Sequence, residues 1–393
     1  MVISLIGTWM QSVAQSWLVY RLEHSEFLLG ATWFCGQIPV FLLAPLGGLA
    51  ADRFPRHRIV LVTQVLSMVQ ALLLAALTLS GRIQTWHVLL FAAALGIINA
   101  FDIPGRQSLY VHLASREDLM NAISLNSTIF NLARVAGPSV AGLVVAWFGE
   151  GICFLANGLS FIAVIGCFLA MKIQPEARRA AAGGELQRLA EGFRYAHRSL
   201  PLRVLLAMSS AVNFGSAPAI ALGPFFADAI FHQGSRGFGF MTAGLGLGAV
   251  AGTLSLARRE HPAGLAPVIL QSAVWMGASL WAYAWAPRFS VLLAVMFTLG
   301  FSVFRQNASA NTLIQTGIED EYRGRVMSIY SMMVIGFLPF GNLGSGALAQ
   351  QIGARWTVFL GGLICLAAAF FYRMFLPRIR TWASSPFTAS SLG

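Results

Sequence analysis

The chain has 393 residues, 57% hydrophobic and only 10% charged, whereas a soluble domain carries about a quarter charged residues. Its net charge is +11, but lysine occurs once, at Lys172, and the arginines are scattered without interleaved aromatics, which excludes a nucleic-acid-binding stripe. Such a surface faces lipid rather than water.

A membrane-crossing helix needs about 20 mainly apolar residues. Twelve such runs are predicted, over 2–20, 27–51, 59–79, 86–112, 120–147, 151–171, 201–227, 238–257, 266–286, 289–314, 324–350 and 355–376. The first carries Gln11, Ser12, Gln15 and Ser16 on one helical face and lacks a basic start or a small-residue cleavage site. It therefore reads as a span, not a leader. Met1 lies almost against it, which implies either an upstream start or a first helix short by a turn. The long connection 172–200 divides the chain into a six-helix set over 1–171 and a second over 201–376, followed by a Ser-rich tail over 377–393 that reads as disordered from Thr381. Inside the connection, 185–198 places Leu186, Leu189 and Phe193 at helical spacing, so an amphipathic surface helix is predicted there.

Arginine sets the orientation. With the N-terminus cytoplasmic, the inner loops and tail hold 19 basic residues and the outer loops five, with Arg134 and Arg305 inside spans. That bias predicts cytoplasmic termini. Cys35, Cys153, Cys167 and Cys365 lie in apolar runs without metal-ligand spacing and read as buried free thiols; no metal site is expected.

The two halves repeat. At an offset of 204, Leu109 meets Leu313, Ser124 meets Ser328, Gly137 meets Gly341, Gly142 meets Gly346 and Gly149 meets Gly353. A hydrophobic chain of two similar halves is a common transporter plan, with the substrate bound between them at mid-membrane.

Ionisable residues at membrane depth are costly and mark function by default. Asp102 lies in the fourth run, about a dozen residues before the loop, and Arg106 follows it by one helical turn. Arg134, in the antiparallel fifth run, falls at similar depth. An acid beside such cations is either a static ion pair or a group whose charge switches when a partner moves. Trp9, Gln11 and Gln15 in the first run, Asn213 in the seventh, and Arg305, Asn307 and Asn311 in the tenth must face protein or water and are candidates for a substrate cavity. Arg305 either meets an anionic substrate group or snorkels.

Between the second and third runs stands Gly47-Gly48-Leu49-Ala50-Ala51-Asp52-Arg53-Phe54-Pro55-Arg56-His57-Arg58. It resembles the loop signature of the major facilitator superfamily. The resemblance implies a cytoplasmic gate in which Asp52 pairs with a neighbouring helix end beside Arg53, Arg56 and Arg58; the plain alternative is positive-inside anchoring. The matching segment Gly252–Arg259 keeps the bases and lacks the acid, so any gate is asymmetric. Ala133 to Gly142, with Gly137, Pro138 and Gly142, is similar to the superfamily's antiporter motif, though two of its glycines are Ala133 and Ala141 here. It suggests export; a mere packing kink is the alternative.

Together with Gly7 to Gln11, Asp102-x-Pro-x-Arg106-Gln107 and Asp320 to Ser328, the chain resembles the branch containing bacterial enterobactin exporters and macrolide efflux proteins. The resemblance spans nearly the whole chain. It implies an all-α membrane protein of two pseudo-symmetric six-helix bundles. A cavity would be lined by the first, fourth, seventh and tenth helices, with small amphipathic molecules exported by alternating access and proton antiport. The proton gradient replaces a cofactor, and the protein is expected as a monomer in the bilayer. The rivals are an uptake symporter, a lipid carrier, or a membrane-embedded enzyme, for which no nucleophile–base or metal cluster is found. No phosphate loop supports ATP-driven transport.

Overall fold

A computed structural model describes residues 2–113, 119–170, 185–256 and 264–384; in some helical stretches, 119–128 among them, only the backbone is described. The described residues are helices joined by short turns, with no strand among them. In chain order the helices are α1 (Val2–Glu23), α2 (Glu26–Arg53), α3 (Arg56–Leu79), α4 (Thr85–Leu113), α5 (Leu119–Phe148), α6 (Glu150–Ala170), α7 (Glu185–Arg198), α8 (Leu200–Ala221), α9 (Gly223–Phe225), a π-helical turn (Phe226–Ile230), α10 (Gly234–Leu254), α11 (Leu265–Ala284), α12 (Phe289–Thr316), α13 (Asp320–Ile352) and α14 (Ala354–Ala383). Each of the twelve apolar runs is helical over most of its described residues.

Among the described residues ten helices are long and apolar enough to cross a bilayer, and the described part of α5 adds an apolar stretch over Leu132–Phe148. α1 falls short because its polar face dilutes it, and that face is turned inward: Gln11, Gln15 and Ser16 are all buried. Outward, large apolar side chains such as Leu73, Leu90, Phe370 and Met374 stand exposed. A water-soluble surface avoids such contiguous apolar cover; a lipid-facing one requires it.

The seventh run breaks at Leu222, between α8 and α9. Pro224 has no N–H to return to the preceding turn, so the ladder is interrupted there. α14 continues through Pro377 into the predicted tail, where Ile379 is buried and Trp382 packs over Gly317. Of the cysteines, Cys153 and Cys365 are buried free thiols as expected, but Cys35 is only half-buried and Cys167 is exposed on the apolar surface of α6.

The chain forms two compact units. One gathers α1 to α6 with Pro224–Ala243; the other gathers α7 and α8 with the chain from Gly244 onward. In the first unit α1 packs on α5 and α6, and α3 on α4 and α6. In the second, α8 packs on α13 and α14, and α11 on α12 and α14. These are the same pairings shifted by half a chain. The repeated glycines carry them. Gly149 and Gly353 close the turns after α5 and α13 with φ of 80° and 87°, where a side chain would be strained. Gly137 lies against α1, where an added Cβ would stand 2.5 Å from Trp9 Cβ; Gly341 lies against α8, where it would stand 2.9 Å from Ala217 Cβ.

Candidate functional site

Asp102 is the buried acid of the first unit, 2% exposed. Its Oδ2 pairs with Arg106 one turn on along α4. Its Oδ1 lies 2.8 Å from Thr63 Oγ1 and accepts a hydrogen bond from Gln64 Nε2 at 3.0 Å, both on α3. A carboxylate removed from water needs such donors on both oxygens. Beside it lies a cavity of about 40 Å³, lined by Asp102, Arg106, Gln64, Ser67, Asn99 and Asn157 among others. That space admits water.

A chain of amides crosses the same unit. Asn157 Nδ2 on α6 donates to Gln11 Oε1 at 2.7 Å, Gln11 Nε2 donates to Gln70 Oε1 at 3.0 Å, and Gln70 Nε2 donates to the Phe91 carbonyl at 3.2 Å. Four helices, α6, α1, α3 and α4, are tied in one direction. Gln15 Nε2 adds a bond to the Val88 carbonyl at 3.0 Å. Gln11 and Gln15 therefore act as interhelical ties. Trp9 meets α5 at Gly137.

Arg134 is half-buried on α5, a helix that packs chiefly on α1. Arg106, not Arg134, is the cation the structure pairs with Asp102. Equal depth fixes height along a bundle but not the direction a helix face points, so depth did not choose between the two arginines.

Pro138 is buried in α5, and one turn later Gly142 crosses α10 at Gly239, where an added Cβ would stand 2.8 Å from Gly239 Cα. The glycine pair predicted for the loop lies within the last turns of α2: Gly47 lies against the backbone of Ala100 and Phe101 on α4, whereas nothing approaches Gly48. Asp52 ends α2, but its side chain lies outside the described residues, as do Arg258 and Arg259. Arg53 and Arg58 are exposed and Arg56 is partly buried. At the opposite end of the unit, Arg21 grips the largely buried Glu150 with two bonds, of 2.8 and 3.2 Å.

The second unit has a different polar core. Asn213 on α8 and Asn307 on α12 exchange amide bonds at 3.0 and 3.3 Å. Tyr330 Oη donates to the Asn307 carbonyl at 2.9 Å, and Gln306 Nε2 to Ser209 Oγ at 3.3 Å. Arg305 is buried with its guanidinium 5.4 Å from the Phe301 ring. Asn311 accepts from Gln315 within its own helix, at 2.5 Å. Among the described residues no cluster of His, Cys, Asp or Glu could hold a metal.

Helix α7 spans the residues predicted for the amphipathic helix. It lies on α13: Gly192 and Ala196 are buried, Glu191 pairs with Arg325 at 3.2 Å, and the Tyr195 and Tyr322 rings stack at 4.4 Å. Burial, then the charge of Glu319, pushes the Tyr195 phenol above its ordinary value. Phe193 remains 42% exposed, while the side chains of Leu186 and Leu189 lie outside the described residues.

The profile of a family described as transmembrane secretion effectors matches residues 1–391. The staphyloferrin A transporter of Staphylococcus aureus is 27% identical over 93% of this chain and 92% of its own. The multidrug efflux pump Tap of Mycolicibacterium fortuitum is 23% identical over 95% and 93%. Macrolide efflux protein A of Streptococcus pyogenes is 22% identical over 93% and 92%. Among solved structures, the nucleoside transporter NupG superposes with a TM-score of 0.73 at 14% identity, covering 95% of this chain and 98% of that one. A bacterial homologue of the iron transporter ferroportin, in an inward-facing state, superposes with a TM-score of 0.70 at 17% identity, covering 98% of each.

Proposed function

Because the chain belongs to the transmembrane secretion effector family of the major facilitator superfamily, we propose that it exports small amphipathic molecules by alternating access, in exchange for protons taken up at Asp102. The fold and family make it a transporter and a multi-pass membrane protein rather than an enzyme. Chain-long likeness to proteins named for multidrug and macrolide efflux favours the outward direction.

The observation that carries the coupling reading is Asp102 itself. It is a carboxylate buried among largely apolar helices, held by Arg106, and bordered by a polar cavity through which water can deliver a proton. A group that changes charge between two states must sit where solvent access and its cation partner can both change. The arginine bias favours cytoplasmic termini, the loop Gly47–Arg58 on the inner side of the inner membrane, and Asp52 as the acid of an inner gate. The asparagine pair of the second unit and Arg305 are the polar groups offered to substrate. The protein works as a monomer.

The test is transport of a fluorescent amphipathic dye in proteoliposomes under an imposed proton gradient. Movement of dye against the direction of proton flow supports antiport. Dye and protons moving together would favour the symport reading, and dye movement indifferent to the gradient would remove proton coupling.

A further inference from the structure

Thr63 Oγ1 lies 2.8 Å from two acceptors at once, Asp102 Oδ1 and the Val60 carbonyl. A hydroxyl carries one proton, so it cannot donate to both. Each proton state of Asp102 resolves this conflict differently. When Asp102 is ionised, Thr63 donates to Oδ1. When Oδ1 is protonated, the acid donates to Thr63 Oγ1 and the threonine hydroxyl turns to the Val60 carbonyl. No heavy atom has to move: the bond that Thr63 donates to Oδ1 is replaced by one to the Val60 carbonyl. The arriving proton stays on Oδ1 while the hydroxyl hydrogen rotates.

We propose that Thr63 is a positioning residue for proton coupling: its hydroxyl reverses its hydrogen bond so that the buried Asp102 is satisfied both charged and neutral. The inference rests on the coupling role given to Asp102 above. Without such a group, the buried carboxylic O–H would depend on water in the adjoining cavity for its acceptor.

The other donors do not reverse in this way. Gln64 Nε2 and the Arg106 guanidinium can only donate, so both favour the charged form. The surroundings leave few competitors. Among the described cavity-lining side chains from α1, α3 and α6, none is charged; Arg106 is the one cation on the wall. α3 carries Arg56, His57 and Arg58 in its first turn, with His57 packed against the Phe168 ring at 5.8 Å. α2 brings Glu26, Arg53 and Asp52 at its ends, and α5 brings Arg134.

The experiment is infrared titration of the purified protein in lipid nanodiscs. The carboxylic band of Asp102 is identified by subtracting the Asp102→Asn spectrum. Thr63→Val and Thr63→Ala should move the band to higher wavenumber, because the acid loses the hydroxyl as its acceptor. Thr63→Ser should restore its position. An unchanged band position in Thr63→Val and Thr63→Ala would overturn the proposal, as would a Thr63→Ser variant that behaves like Thr63→Val. A wild-type protein in which no carboxylic band of Asp102 appears on acidification would overturn it too. If instead Asp102→Asn vesicles still couple dye to protons, the coupling role fails, while the band comparison still judges the hydroxyl.

Discussion

The two units use the same helix pairings around unlike polar cores. At the offset that aligns the repeats, Asp102 on α4 corresponds to Gln306 on α12. Both are buried: one is an acid held by a cation, the other a neutral amide bonded to Ser209. Arg106 corresponds to Ala310, so the second unit lacks the cation where it lacks the acid. The difference teaches that the repeat preserves what packing needs, while the acid–cation pair of this helix is placed in one half. Glycines at 137 and 341, and at 149 and 353, do the same mechanical work in both units. Asp102 has no counterpart.

The largest effect should come from breaking the charged core. Arg106→Ala strands the Asp102 carboxylate and should cost about 3–5 kcal/mol of stability, read as thermal unfolding in detergent. Asp102→Asn in the Arg106→Ala background should recover most of that loss, because no charge is then left unpaired.

Next comes the shared packing. Gly137→Val and Gly341→Val should each cost about 1–3 kcal/mol by driving a branched side chain into Trp9 and Ala217, respectively. Similar losses at both sites would support mechanical equivalence of the halves; a tolerated change at one would break it.

Smaller still is the neutral core. Asn307→Ala removes the exchanged amide bonds with Asn213 and should cost about 1 kcal/mol, with the proton dependence of transport unchanged. A shifted proton dependence in Asn307→Ala would show that coupling is shared between the units. The smallest effect belongs to α7: Glu191→Gln breaks a partly exposed pair with Arg325 and should cost no more than about 1 kcal/mol.

Much of the fold was legible. Apolar run length located every long helix, and the helix of the connection coincides with α7, because spacing and charge are local signals. The end of the seventh span was less so: the run was read unbroken over 201–227, across the break at Leu222 and into the π-helical turn. At the site, Asp102 and Arg106 stand one turn apart in one helix, so their pairing could be read directly. Thr63 and Gln64 could not. They are 39 and 38 residues away on α3, and a threonine and a glutamine inside an apolar run carry no mark of the partner they will meet. Gln11 was legible as polar at depth, but its bonds to Gln70 and Asn157 depend on how three helices face one another. Such azimuths are set by packing, which sequence spacing does not give.

The most direct test of the central claim compares Asp102→Asn with Gln306→Ala in proteoliposomes, measuring dye transport against an imposed proton gradient. Asp102→Asn should bind dye and lose gradient-driven transport, while Gln306→Ala should keep its proton dependence at a changed rate. Gradient-driven transport that persists in Asp102→Asn with wild-type pH dependence would contradict the account and leave Asp102 a structural ion pair.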